Sequence, residues 1–328
     1  MSERRELRLS VLDVMPCTRS GARPQAVQET LALARLADDC GYARYWLAEH
    51  HGTDAVASSA PEIMVAAVAQ TTRYMRVGSG GILLGRYDPH KVAEVFETLG
   101  ALYGDRIDLG IARGRGGPAV SGDEFSSRLE RLVALLEQRR VNVQLWLLGN
   151  GVTSRDHAVR LGARFAYGDP AAGPKVLEEY RQRFVASPGC PEAQDLLCVT
   201  VVCAELARDA EELAWSAVQF GHDFGAQFGR VLAPSLARQV LGYFPEERLG
   251  VQYPRLIHGD PAGVRRDLLR LREVFGVREL MVSTVIHDAH LRRTSYALIA
   301  EALAPYTLTR LGLRSVGNTH SSFAGGIR

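Results

Sequence analysis

The chain has 328 residues, 46% hydrophobic and 23% charged, which is ample apolar material for a large globular core. Its 39 basic and 37 acidic side chains leave a formal charge of +2, too weak a field to argue for nucleic acid, and Lys91 and Lys175 are the only lysines. The five cysteines match no zinc spacing and read as reduced thiols of a cytoplasmic protein. The charged start of the chain is no signal-peptide core, and no window approaches the roughly eighteen apolar residues of a membrane span.

Strand-like and helix-like segments alternate. Residues 7–14 read as a strand and 25–40 as a helix closed by Gly41, a residue suited to the left-handed cap. Strand 45–48 is followed by helix 60–71, with Pro61 and Glu62 in its first turn. Strand 75–84 leads to helix 90–102, strand 106–112 to helix 123–138, strand 144–148 to helix 153–161, and strand 164–167 to helix 174–184. Strand 197–204 precedes a helix beginning at 207–217, and strand 279–285 precedes helix 291–304. Runs such as 199–202 and 145–148 are continuously apolar, as strands buried on both faces should be.

Eight strand–helix pairs predict one parallel sheet. Polar clusters at several different strand ends favour a closed (β/α)8 TIM barrel over an open doubly wound sheet. A long excursion without strands, 219–261, with a helix near Leu236, is expected outside the barrel or near its mouth. Residues 1–312 are read as a single domain and the Ser/Gly-rich 313–328 as a flexible tail.

Chemistry-bearing residues fall at strand ends. The apolar run 45–48 stops in Glu49, His50 and His51, and one of the histidines should face the site, the bland alternative being a loop histidine with a hydrogen bond. Gly78, Gly80 and Gly81 interrupt a strand, which suits a close approach to a flat ligand or a bulge at a barrel corner. Arg113 and Arg115 lie at a strand tip beside glycines, a pattern suited to phosphate. Gly149, Asn150, Gly151, Thr153 and Ser154 run from a strand tip into a helix start, either an anion cradle or a plain N-cap completed by Asp156 as a capping box. A metal site from Glu49, His50, His287 and His290 has no strong ligand spacing behind it, so no metal is expected.

Taken together, the runs 9–13 (LSVLD), 36–42 (LADDCGY), 46–51 (WLAEHH), 77–84 (VGSGGILL), 89–94 (PHKVAE), 105–114 (DRIDLGIARG), 145–149 (LWLLG) and 279–282 (ELMV) resemble, in order, the bacterial luciferase-like family of flavin-dependent monooxygenases. The resemblance implies a barrel that binds FMN at its C-terminal face and uses reduced FMN with oxygen to oxidise a small or carrier-tethered organic substrate. A separate flavin reductase would supply the reduced flavin. It further implies a homodimer, His50 and Glu49 at the catalytic centre, a cis peptide at Gly80–Gly81 under the flavin ring, Arg113 on the phosphate, and Gly149, Asn150, Gly151 and Ser154 as the phosphate cradle. A deazaflavin-dependent oxidoreductase and a flavin-binding, non-catalytic homologue with a partner-binding role are the alternatives.

Two departures stand out. Asn150 and Gly151 occupy positions where the family usually has serines, so backbone donors survive and a hydroxyl is lost. The stretch from Arg113 to Leu145, between the fourth helix and fifth strand, is roughly 25–30 residues shorter than usual, although a connection of about 2–6 residues still lets a barrel close. The expected consequence is a more open pocket mouth.

Overall fold

A computed structural model describes residues 7–18, 22–114, 121–226, 229–242 and 254–304; Arg115 and the expected tail 313–328 lie outside the described residues. Strands alternate with helices along the chain. β1 (Arg8–Asp13), α1 (Arg23–Asp39), β2 (Arg44–Leu47), α2 (Pro61–Thr71), β3 (Arg76–Ser79), β4 (Ile82–Leu83), α3 (Pro89–Tyr103) and β5 (Ile107–Ala112) form the first half. They are followed by α4 (Gly122–Gln138), β6 (Gln144–Gly149), α5 (Val152–Leu161), β7 (Arg164–Tyr167), α6 (Lys175–Arg183) and β8 (Asp195–Cys203). The last elements are α7 (Ala207–Ala226), α8 (Pro234–Leu241), β9 (Leu256–Gly259), α9 (Pro261–Phe275), β10 (Glu279–Ser283) and α10 (Ala289–Leu303).

Helix ends follow local chemistry. Gly41 takes φ +80° after α1, Asp88 caps α3 by accepting from the His90 amide ahead of Pro89, and Asp260 and Asp288 cap α9 and α10 in the same way. Every strand pairing is parallel. The ring runs β1–β2–β3–β5–β6–β7–β8–β10 and returns to β1, with β4 continuing the β3 position alongside β5. The sheet is therefore closed, a (β/α)8 barrel.

Two expectations need correction. The strand foreseen over 75–84 is two pieces, broken at Gly80–Gly81, and both pieces pair with β5, so the break does not open the barrel. The excursion 219–261 is not free of strand: β9 pairs with Thr200–Cys203, the second half of the long β8. Four residues, of which only Leu256 and Ile257 are apolar, carry too little pattern to announce a strand; the partner edge of β8 recruits them.

The strands separate two cores by alternation. Val11, Tyr45, Leu47 and Val77 pack outward with helix residues such as Leu33, Val68, Phe96 and Leu132. Trp46, Trp146, Ala166, Leu196 and Met281, all on strands, form the inner cluster, with Leu12, Leu148 and Cys198 against it. Trp46 and Trp146 meet edge to face at 5.3 Å. Toward the strand N-termini the interior turns ionic. Arg44 reaches Asp108 (2.8 Å) and Glu279 (2.7 Å), Arg76 reaches Asp108 (2.7 Å), and the Trp46 Nε1–H donates to Asp108 (2.9 Å). Burial alone would discharge Arg44; the two carboxylates overcome it and raise its pKa instead. This paired floor closes the N-terminal end, and function is left to the opposite rim.

Candidate active site

Register brings the predicted residues to neighbouring strand tips. β2 and β3 pair Leu47 with Ser79, so the residues just beyond, Ala48 and Glu49, run beside Gly80 and Gly81; the Gly80 amide donates to Leu47 O (2.7 Å). β5 and β6 pair Ile111 with Leu147, which carried two residues further sets Arg113 beside Gly149. Four consecutive positions around the ring thus present His50, the diglycine, Arg113 and the 149–154 turn.

At the first tip the strand ends at Leu47, so Glu49, His50 and His51 are freed from strict alternation. Glu49 is buried, and its carboxylate accepts from the Tyr87 hydroxyl (Oε1, 2.7 Å) and the Leu83 amide (Oε2, 2.9 Å), with His51 Nε2 2.5 Å from Oε1. Burial, then the hydrogen bond to Glu49, pushes the Tyr87 phenol up. His50 is held from loop 53–58: its amide donates to Ser58 O (2.8 Å), and its Nδ1 is 3.4 Å from Ser58 Oγ. Burial, with a smaller contribution from His51, lowers the His50 pKa to about 4, so its imidazole is neutral at pH 7.

At the second tip Gly80–Gly81 is a cis peptide. A Cβ on Gly80 would meet Leu12 Cδ1 at 2.6 Å and Trp46 Cβ at 3.0 Å, and one on Gly81 would meet Gly110 C and O at 2.8 Å. The bend therefore lies flush on the inner core, with no room for side chains beneath it, and offers bare backbone to the rim.

The third and fourth tips form a cationic corner. The Arg113 side chain is exposed. Among the causes that lower the His157 pKa, burial and Arg160 come first and Arg113 also contributes, which places its guanidinium near α5. Gly151 is the N-cap of α5 and supplies no side chain, so the first-turn amides keep the unpaired donors of any helix start. The capping box with Asp156 does not form: the helix starts at Val152 with Gly151 at its N-cap, so Asp156 lies five residues past the cap, where it accepts from Arg155 (2.9 Å) and Arg183 (2.7 Å) instead. Ser154 folds over Gly149, where a Cβ would lie 1.9 Å from its Oγ, and Asn150 Oδ1 lies over Gly168 in the same manner, 2.6 Å from where a Cβ would be. Exposed guanidinium, free helix amides and a hydroxyl make a corner with the donor chemistry of a phosphate site.

Sequence reasoning missed Tyr87 and Ser58. Tyr87 precedes the Asp88-Pro89 helix start and Ser58 sits in an unpatterned loop, so only the folded chain shows their partners. His287 and His290 do not join Glu49 and His50. They line a cleft of about 320 Å³ between the β1–α1 and β10–α10 connections, and no group of three or more ligating side chains is arranged for a metal among the described residues.

The model of luciferase-like monooxygenases matches residues 11–146. The luciferase-like monooxygenase of Escherichia coli strain K12 is 32% identical over 317 positions, covering 88% of this chain and 95% of that protein. The chain belongs to the luciferase-like monooxygenase family. The N-acetyl-S-alkylcysteine monooxygenase of Bacillus subtilis is 31% identical, covering 90% of this chain and 98% of that one. The crystal structure of apo-MsnO8 superposes with a TM-score of 0.84 at 36% identity, over 91% of this chain and 98% of that one. Family membership makes this chain a luciferase-like monooxygenase by fold and by class of enzyme. In the E. coli alignment 88% of 328 residues is about 289, so close to thirty of its 317 positions have no counterpart in this chain. No helix among the described residues is long and apolar enough to cross a membrane.

Proposed function

We propose that the protein is an FMN-dependent monooxygenase acting on a small or carrier-tethered organic substrate, with reduced flavin delivered by a separate reductase. The observation that carries this reading is the run of four adjacent strand tips, which offers in order a neutral half-buried histidine, a flat backbone platform and a cationic corner. The residues fit the coenzyme: the bare Gly80–Gly81 backbone suits an aromatic ring, and Arg113 with the α5 amides suits its phosphate. Reduced FMN would supply the electrons for inserting one atom of dioxygen into the substrate. The protein's own share is position and dryness. Arg113, Gly149, Asn150, Gly151 and Ser154 hold the phosphate end, Gly80 and Gly81 set the height of the ring, and His50 holds or moves a proton beside it. The apolar layer of Leu12 and Trp46 beneath the bend excludes water from below.

The test is titration of the purified protein with oxidised FMN, followed by oxygen consumption with chemically reduced FMN. Uptake of FMN with substrate-dependent oxygen consumption supports the reading. Preference for a deazaflavin, or FMN uptake without turnover, replaces it with hydride transfer or with a binding role. N-acetyl-S-alkylcysteines are the first substrates to try, on the strength of the named relative alone.

Arg113→Ala is expected to weaken FMN binding by about 1.5–3 kcal/mol, the scale of a hydrogen bond to a charged group. Riboflavin, which lacks the phosphate, should bind the variant and the parent alike. Unchanged FMN affinity, measured by quenching of flavin fluorescence, would move the phosphate elsewhere.

A further inference from the structure

We infer that Glu49 is a positioning residue whose carboxylate ties the diglycine bend to the histidine tip, with Tyr87 and His51 as its supports. The inference rests on the proposed flavin site and deepens it. Glu49 Oε1 faces His51 Nε2 at 2.5 Å and the Tyr87 hydroxyl at 2.7 Å, while Oε2 faces the Leu83 amide at 2.9 Å. Its side chain has no exposure, so no water reaches it. Three donors thus occupy three of the roughly four acceptor positions of this buried carboxylate, and its place is set by its protein neighbours.

The placement of those donors gives the role. Gly80 N is anchored to Leu47 O on one side of the bend and Leu83 N to Glu49 on the other, so the Gly80–Gly81 peptide lies between two ties to the end of β2 and the tip that follows it, where His50 stands. Tyr87 is itself fixed from α4, where Arg128 Nη1 donates to Gly85 O (2.8 Å) and Tyr87 O (3.3 Å). The chain of contacts from Arg128 through Tyr87 to Glu49 thus sets the height of the ring platform against His50. A carboxylate accepts from all three at once; a glutamine keeps the Leu83 bond only by turning its N–H groups toward Tyr87 and His51, which must then switch from donating to accepting, and the bond to Leu83 loses its charge.

The experiment compares the parent with Glu49→Gln, Tyr87→Phe and the double variant, each checked for fold by far-ultraviolet circular dichroism. Amide exchange is first measured without flavin. Glu49→Gln should speed exchange at Leu83 by about tenfold or more, the effect of losing a charged hydrogen bond, with the outer helices unchanged. Tyr87→Phe should give a smaller acceleration at the same amide and carries the test if Glu49→Gln does not fold. With FMN added, Glu49→Gln should alter the visible circular dichroism of the bound flavin and lower turnover. The double variant should lose no more than Glu49→Gln, because Tyr87 acts through Glu49. Parental exchange at Leu83 in both single variants overturns the inference, as does loss of turnover with Leu83 exchange and the flavin spectrum unchanged, the mark of a proton-transfer group. So do losses that multiply in the double variant. If the parent takes up no FMN, the proposed function fails, and Leu83 exchange still decides the role of Glu49.

Discussion

Replacing His50 by alanine is expected to lower turnover with reduced FMN by about a hundredfold or more, the lower range of a lost acid–base group, with the barrel still folded. The imidazole sits one residue past Glu49, half-buried and held through Ser58, beside a bend that offers only backbone. As a neutral imidazole at pH 7 it can accept a proton or donate its ring N–H to a reacting atom. Its pKa of about 4 gives the prediction a pH signature. The acid limb that depends on His50 should fall near pH 4, well below the ordinary histidine value of 6.5, and vanish in the variant. The same depression links to stability with a definite sign. The unfolded chain takes up a proton below about 6.5 that the folded site refuses until about 4, so this contribution is present above 6.5 and is lost as pH falls through that window. Steady-state oxygen consumption and urea melts between pH 4 and 8 check both; turnover at the parental level in His50→Ala removes the residue from the mechanism.

Asp13→Ala is expected to cost about 3–5 kcal/mol of stability, the scale of breaking one partner out of a buried ion pair. Asp13 ends β1 and is wholly buried. Its Oδ1 accepts from the Met15 amide and Arg292 Nη2, each at 2.7 Å, and its Oδ2 from Thr30 Oγ1 (2.8 Å) and the Tyr45 hydroxyl (2.5 Å). Burial works to raise its pKa, but Arg292 and these hydrogen bonds outweigh it and hold the carboxyl below the ordinary range. Removing it strands a guanidinium left with Thr284 O (2.8 Å) and the face of the Tyr296 ring (6.0 Å), and frees Met15, a buried residue held at φ +52°. The urea midpoint should drop sharply. Adding Arg292→Met should recover part of the loss, since the stranded charge goes with it. A full loss retained in the double variant would assign the cost to the lost Met15, Thr30 and Tyr45 hydrogen bonds rather than to the stranded charge. Because the folded pKa is depressed, the stability due to Asp13 is present above about pH 4 and is lost as pH falls below it.

Much of the fold is written locally. Continuous apolar runs such as 145–148, glycine after α1, and Asp88-Pro89 ahead of α3 mark strands, stops and starts through forces between near neighbours, and their alternation specifies parallel strands with helices outside. β9 was illegible because its four residues become a strand only when β8 offers them an edge. The capping box at Asp156 was misleading because the helix starts at Val152, two positions after the strand-end Gly149-Asn150, so Thr153 is already inside it and Asp156 is left to Arg155 and to Arg183, 27 residues further on.

The same division holds at the rim. The sequence alone determined which residue types stand at the strand tips: a Glu-His-His run, a glycine pair, an arginine and a Gly-Asn-Gly turn, since strand length and punctuation are local properties. Only the tertiary structure decided what each tip residue meets. Parallel register put Glu49 beside Gly81 and Arg113 beside Gly149, and closure of the barrel brought Arg292 to Asp13 across 279 positions and Tyr87 to Glu49 across 38. Such pairings depend on distance after folding, which no run of neighbouring residues encodes.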